Sequence, residues 1–278
     1  MRILAVMNQK GGVAKTTTAV TLAAMAAERG HRVLLVDADP QGNATLHLGI
    51  DPENTAGLCG VMVPMGSDSK PAATASRIVP TEYGLDLLPQ PSTVIEQRLI
   101  SVMARREHLL AMALAQVQDR YDLVVIDSPP NFGLLQINVL VASNWILIPF
   151  QSEAFGARSL TELALSLTDL REAGLPMPEF VGLLATRCRS QATKHMQEVR
   201  DFVANRFGAA LLPVSIRETT AVPEAANQHT PLHRAAPHAT ATQDYWTVHD
   251  LILAKMGMEP ARLASQEGGG LTTSSTHT

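Results

Sequence analysis

Short apolar runs alternate along the chain with stretches in which apolar residues recur every three or four positions. The runs at residues 3–7, 33–36, 85–88, 123–126, 145–149, 180–185 and 211–214 are β-rich, and several are continuously apolar. That is the pattern of strands covered on both faces. The stretches 16–29, 96–118, 159–173, 193–207 and 242–256 have helical character. Such alternation predicts an α/β fold, a mostly parallel, doubly wound sheet with helices on both faces. No linker-like stretch divides the chain, so one domain over residues 1–262 is expected. Residues 51–82 mix Pro, Gly and Ser with weak periodicity and predict a surface excursion. The tail 263–278 has little to bury and is expected to be disordered.

Composition narrows the function classes. Aromatic residues make up 4% of the 278 residues, too few for a stacking platform on single-stranded nucleic acid. The net charge of -4 gives no global pull toward nucleic acid, so any such site is local. Cys59 and Cys188 are too few and too isolated for a disulfide framework, a zinc site or an iron–sulfur cluster. No apolar run reaches the roughly 20 residues of a spanning helix. The opening MRILAVMN enters a strand at once with no secretory signal, which points to the cytoplasm.

The chemistry starts at NQKGGVAKTTTAV, residues 8–20, between the first strand and the first helix. A strand–loop–helix of this kind is where helix N-terminal amides attract anions. Gly11 and Gly12 allow backbone amides to turn inward around phosphate, with Val13 and Ala14 completing the loop. Lys15 is placed to reach the β- and γ-phosphates, Thr16 to ligate magnesium and Thr17 to bond a phosphate oxygen. The pattern is not G-x-x-x-x-G-K-[ST], because Gln9 and Ala14 stand where its glycines belong and Lys10 precedes the glycine pair. Two further apolar strands end in acids, VLLVDADPQGNAT at Asp37 and Asp39 and YDLVVIDSPPNFG at Asp127. At the carboxyl ends of parallel strands such acids face the ligand crevice, and Asp127 reads as the Walker B carboxylate that holds magnesium or its water.

The run K-G-G-x-x-K-T-T resembles the deviant Walker A motif of the ParA/MinD family, and residues 1–49 resemble ParA closely. The three motifs follow in ParA order, and the likeness continues more faintly to about Arg217. The resemblance implies a P-loop ATPase using ATP and Mg2+, in which Lys10 crosses a homodimer interface to the partner's nucleotide. It implies that Asp37 supports the magnesium shell and that Asp39 orients the attacking water. It also implies that Pro213 packs against adenine. Ala14 replaces a more usual glycine, a small change if its backbone is right-handed.

Between residues 180 and 217 lie Arg187, Arg189, Lys194, Arg200, Arg206 and Arg217 against only Glu198 and Asp201. In ParA proteins of this size, basic residues of this region bind double-stranded DNA non-specifically in the ATP-bound dimer. By that resemblance Arg217 is the best match, while Arg187 and Arg189 straddle a second position between which the sequence does not choose. A ParB-like adaptor and a cytoplasmic, nucleoid-associated role in chromosome or plasmid partition are implied with it. A MinD-like or other cargo-positioning ATPase is the alternative. The membrane-surface form of that alternative needs a basic amphipathic C-terminal helix, which Gly257 and Pro260 interrupt; no membrane partner is expected.

Overall fold

The computed structural model describes residues 1–52, 57–64, 70–90, 95–100, 102, 104–151, 156–189 and 193–259. The expected tail and the domain end at residue 262 lie outside them. Among the described residues, seven strands form one sheet: β1 (Arg2–Val6), β2 (Val33–Asp37), β3 (Val79–Pro80), β4 (Asp86–Leu88), β5 (Leu123–Asp127), β6 (Trp145–Gln151) and β7 (Glu179–Thr186). Their order is β3-β4-β2-β5-β1-β6-β7. Every pairing is parallel except the β3–β4 edge.

The helices are α1 (Lys15–Glu28), α2 (Asn43–His47), α3 (Gly57–Met62), α4 (Ile95–Ile100), α5 (Leu109–Ala115), α6 (Leu134–Ala142), α7 (Gly156–Glu172), α8 (Lys194–Phe207), α9 (Ala221–Asn227), α10 (Leu232–Ala235) and α11 (Thr240–Lys255). Successive strand residues point to opposite faces, and the core divides accordingly. Leu4, Val6, Leu35 and Val125 pack with α1 and α11. Ile3, Ala5, Leu34, Val36, Val124 and Ile126 pack with α3, α4, α5 and α6. Covered on both sides, β2 and β5 are buried at every residue. No helix among the described residues is long and apolar enough to cross a membrane.

Three expectations are corrected. Residues 211–214 do not form a strand; isolated parallel bridges join Leu183 to Leu211 and Cys188 to Arg217 instead. Pro213 has no N–H to donate to a ladder. Leu212 also presses into Gly182, where a Cβ would lie 2.7 Å from Leu212 Cδ2. The single helix expected over 96–118 is two, α4 and α5, with Arg105 left-handed at φ 53 between them. Asn138 of α6 holds the break: its Nδ2 donates to Arg106 O at 2.7 Å, and its Oδ1 accepts from Leu110 N at 3.1 Å. The stretch 51–82 is no mere surface excursion, for α3 within it is wholly buried and β3 adds the antiparallel edge.

Helix α1 connects the phosphate loop to α11. Its N-terminal half meets α11 through Thr18 Oγ1 and the buried Tyr245 hydroxyl, 2.9 Å apart. Its C-terminal end is tied by His233 Nε2 donating to Glu28 Oε2 at 2.9 Å. Trp246 stands edge-on to both His233 and His249, with the Arg29 guanidinium 4.9 Å from its ring centroid. Burial, aided by neighbouring cations, holds the pKa values of His233 and His249 below the usual histidine range, although Glu28 and Asp250 oppose it. A depressed folded-state value means that the unfolded chain takes up protons first on acidification. This contribution is therefore intact above about pH 6.5 and lost as the pH falls further. Urea unfolding at pH 7.5 and 5.5 is expected to show a marked loss at the lower pH, and a smaller loss in His233→Gln/His249→Gln. Equal losses in the two proteins would contradict this role.

Candidate functional site

The carboxyl ends of β1, β2, β5, β6 and β7 converge on the loop between β1 and α1. Side chains from the strand tips fix its shape. Asn8, fully buried, accepts from Lys10 N at 2.9 Å and donates to Pro149 O at 2.8 Å. Gln151, the last residue of β6, donates to Gly12 O at 2.7 Å. Thr186, the last of β7, shares its hydroxyl proton between Val13 O and Phe150 O, each 3.1 Å away. The Gly12 and Val13 carbonyls are thus held by the strand tips rather than by the cleft's own groups. Gly12 is left-handed at φ 77, and a Cβ on Gly11 or Gly12 would meet no atom within 4 Å. Beside them lies open space of the kind a phosphate group fills.

Ala14 corrects an expectation. Its backbone is left-handed, φ 64 and ψ 32, where it caps α1. Its methyl therefore costs on the order of 1 kcal/mol relative to glycine.

Beneath the loop the acids meet. Parallel pairing sets Asp37 directly beside Asp127, which in turn pairs with Val6 of β1. Asp37 is satisfied: its Oδ2 accepts from Thr45 N at 2.8 Å and Thr45 Oγ1 at 2.7 Å, and its Oδ1 accepts from Asp39 N at 3.2 Å. Even so, burial first, and the charge of Asp39 besides, push its pKa up to about 7 against the pull of the Thr45 donors. Asp127 is fully buried, and among the described residues neither oxygen meets a donor at hydrogen-bonding geometry. Burial and then Asp37 hold its pKa well above the usual carboxylate range, with the Thr16 hydroxyl close enough to draw it part of the way back. Lys15, also buried, donates to Lys10 O at 3.3 Å. Desolvation lowers its pKa, and Asp127 and Asp39 partly restore it. Asp39 accepts from Gln41 N at 3.0 Å and so also caps the turn after β2.

A cleft of about 1130 Å³ opens over this floor, lined at one end by Gly11, Gly12, Ala14, Lys15, Thr16, Thr17 and Asp39. Its apolar wall includes Ile216, Val222 and Pro223. Lys10, Val13, Asp37, Asp127 and Pro213 are not among the lining residues. Val13 points into the core, and Pro213 is solvent-exposed, so the structure does not bring Pro213 to the cleft. Arg187 and Arg217 do line it. Arg217 grips Asp244 of α11 through Nε and Nη2 at 2.7–3.2 Å and through its backbone N at 2.9 Å. Arg187 and Arg189 both reach Glu218.

The residues present suit magnesium. No group of three or more His, Cys, Asp or Glu among the described residues could hold a metal unaided. Magnesium keeps several waters and takes phosphate oxygens, so a hydroxyl and one carboxylate suffice. Asp127, buried and without a donor beside Thr16, is such a carboxylate.

A family model described as an AAA domain matches residues 1–176. The chain is 36% identical over 222 residues to the chromosome partitioning protein ParA of Myxococcus xanthus, spanning 78% of this chain and 76% of that one. It is 35% identical over 222 residues to the sporulation initiation inhibitor protein Soj of Bacillus subtilis, spanning 78% and 85%. This chain belongs to the ParA family. Among solved structures, cobyrinic acid a,c-diamide synthase of Mycobacterium smegmatis, holding an ATP analogue and magnesium, superposes with a TM-score of 0.77 at 32% identity over 94% of this chain and 98% of that one. The P-loop ATPase fold is common to all of them, and the loop with Lys10 and Lys15 is the ParA variant of it.

Within this ParA-family site the sequence reading misses Gln151, Thr186 and Tyr245. The first two carry the same signal as Asp37 and Asp127, a polar residue closing an apolar strand. Ala14→Gly is expected to raise stability by about 1 kcal/mol, read as a higher midpoint in urea, while nucleotide affinity is kept. A loss of stability would contradict the left-handed assignment.

Proposed function

We propose that this protein is an ATP-driven DNA-partitioning switch. The observation that carries the reading is a two-lysine phosphate loop bordering the cleft with Asp127 buried beneath it, its oxygens meeting no donor at hydrogen-bonding geometry among the described residues. Lys15 binds the β- and γ-phosphates, Gly11 to Ala14 offer backbone amides, and Thr17 bonds a phosphate oxygen. Thr16 and Asp127 hold magnesium, with Asp37 behind them; the ion neutralises charge on the phosphates. Asp39, near Lys15 on the cleft floor, orients the attacking water and receives its proton.

Lys10 supplies the switch. It precedes the glycine pair of the loop, and in this reading, as the likeness to the ParA family suggests, its cation reaches the nucleotide of a second copy of the chain rather than its own. Two copies then close around two nucleotides, each stabilising charge on the other's. The closed pair binds duplex DNA through its arginine-bearing face, which places it on the nucleoid, and a ParB-like adaptor speeds hydrolysis and release. Doubling the arginine face doubles the phosphate contacts and steepens the salt dependence.

The test compares ATP with ADP, each with magnesium. Light scattering is expected to give a dimer with ATP and a monomer with ADP, and duplex DNA is retained only by the former. Lys10→Ala should bind ATP yet stay monomeric. Asp39→Ala should hold the ATP dimer while turnover falls by about 100-fold or more. Equal mass and equal DNA binding in ATP and ADP would overturn the reading.

A further inference from the structure

The arginine face is not bare. Thr186 ends β7, and the chain turns there through Arg187, left-handed at φ 51. The following residues lie against segment 216–218 by backbone hydrogen bonds. Cys188 N donates to Ile216 O, and Glu218 N donates to Cys188 O, both at 2.9 Å. This register pairs Cys188 with Arg217, and Glu218, the next residue, reaches both of the arginines that flank Cys188. The Glu218 carboxylate then divides itself: Oε1 takes Arg187 Nη2 at 3.4 Å and Oε2 takes Arg189 Nε at 3.2 Å.

We propose that Glu218 is an acidic gate on the phosphate-binding face, its carboxylate occupying Arg187 and Arg189 until nucleic-acid phosphate displaces it. The proposal rests on the duplex-binding reading above and names a regulator of that same surface. Two observations support exchange at these arginines. Their side chains are 55% and 67% exposed and that of Glu218 is 36% exposed, so both pairs lie in water, where a carboxylate is held weakly and a phosphate can replace it. The third arginine differs: the side chain of its partner Asp244 is only 11% exposed, and the contact is made through two guanidinium nitrogens and the backbone. Arg217 is thereby committed to joining segment 216–218 to α11, which steadies the gate. Phosphate recognition falls to Arg187 and Arg189 together, so the sequence need not choose between them.

Glutamate and phosphate compete for the same two guanidinium groups, so removing the charge of Glu218 strengthens duplex binding only while those groups are present. The experiment is a double-mutant cycle on the full chain, saturated with a non-hydrolysable ATP analogue and magnesium at one fixed salt concentration. Duplex affinity is read by fluorescence anisotropy, and folding of each variant by circular dichroism. Glu218→Gln is expected to tighten binding by about 3- to 10-fold, with Glu218→Ala moving the same way. In an Arg187→Ala/Arg189→Ala background, binding weakens and the Glu218→Gln gain disappears. If the wild type binds DNA and Glu218→Gln binds no tighter, the gate is wrong and the duplex-binding reading stands. A gain that persists without the two arginines also overturns the gate. If no variant binds duplex DNA, the duplex-binding reading fails and the gate fails with it.

Discussion

A carboxylate removed from water must find a proton, a donor or a cation, and the sheet places Asp127 where, among the described residues, no donor beyond the nearby Thr16 hydroxyl comes close to satisfying it. The position follows from register. Parallel pairing puts the ends of β1, β2 and β5 level, so Asp37 and Asp127 stand side by side under the loop. Lys15 is the nearby ammonium, and it too is buried and desolvated. The site is thus a set of ionisable groups held in poor surroundings, the usual mark of a site shaped for a charged ligand. In the function proposed, a phosphate chain with a dication would complete it, giving Lys15 an anion and Asp127 a cation at once.

The rest of the fold keeps that arrangement from relaxing. Gln151 and Thr186 hold the Gly12 and Val13 carbonyls from the tips of β6 and β7, which fixes the middle of the loop. Thr45 holds Asp37, and through it α2 is fastened to the floor of the cleft. Tyr245 holds Thr18, while its neighbour Asp244 holds Arg217, so α11 touches both the phosphate-loop helix and the arginine-bearing segment. One rigid helix thereby bridges the nucleotide end of the cleft and the face assigned to DNA.

Much of this was legible from residue order, because the signals are local. An apolar strand ending in an acid marks Asp37 and Asp127 wherever it occurs, and two glycines before a lysine and threonines mark the loop. What escaped was set by distant partners. Asn138 breaks a helix more than thirty residues before it, and Pro213 with Leu212 spoils a strand only because β7 lies alongside. Helix α6 is buried on nearly every side, so no 3.6-residue period stands out in LLQINVLVA. The handedness of Ala14 depends on how the loop enters α1. The basic window that ends at Arg217 stops one residue short of Glu218, the acid that changes its meaning.

The most direct test of the central claim is the magnesium dependence of ATP binding, measured by calorimetry in the wild type and in Asp127→Asn. The account predicts that magnesium strengthens ATP binding by about 10-fold or more in the wild type, and that the asparagine variant loses most of this gain while still binding the nucleotide. An unchanged magnesium gain in Asp127→Asn would contradict it, because the buried carboxylate would then have no part in holding the ion.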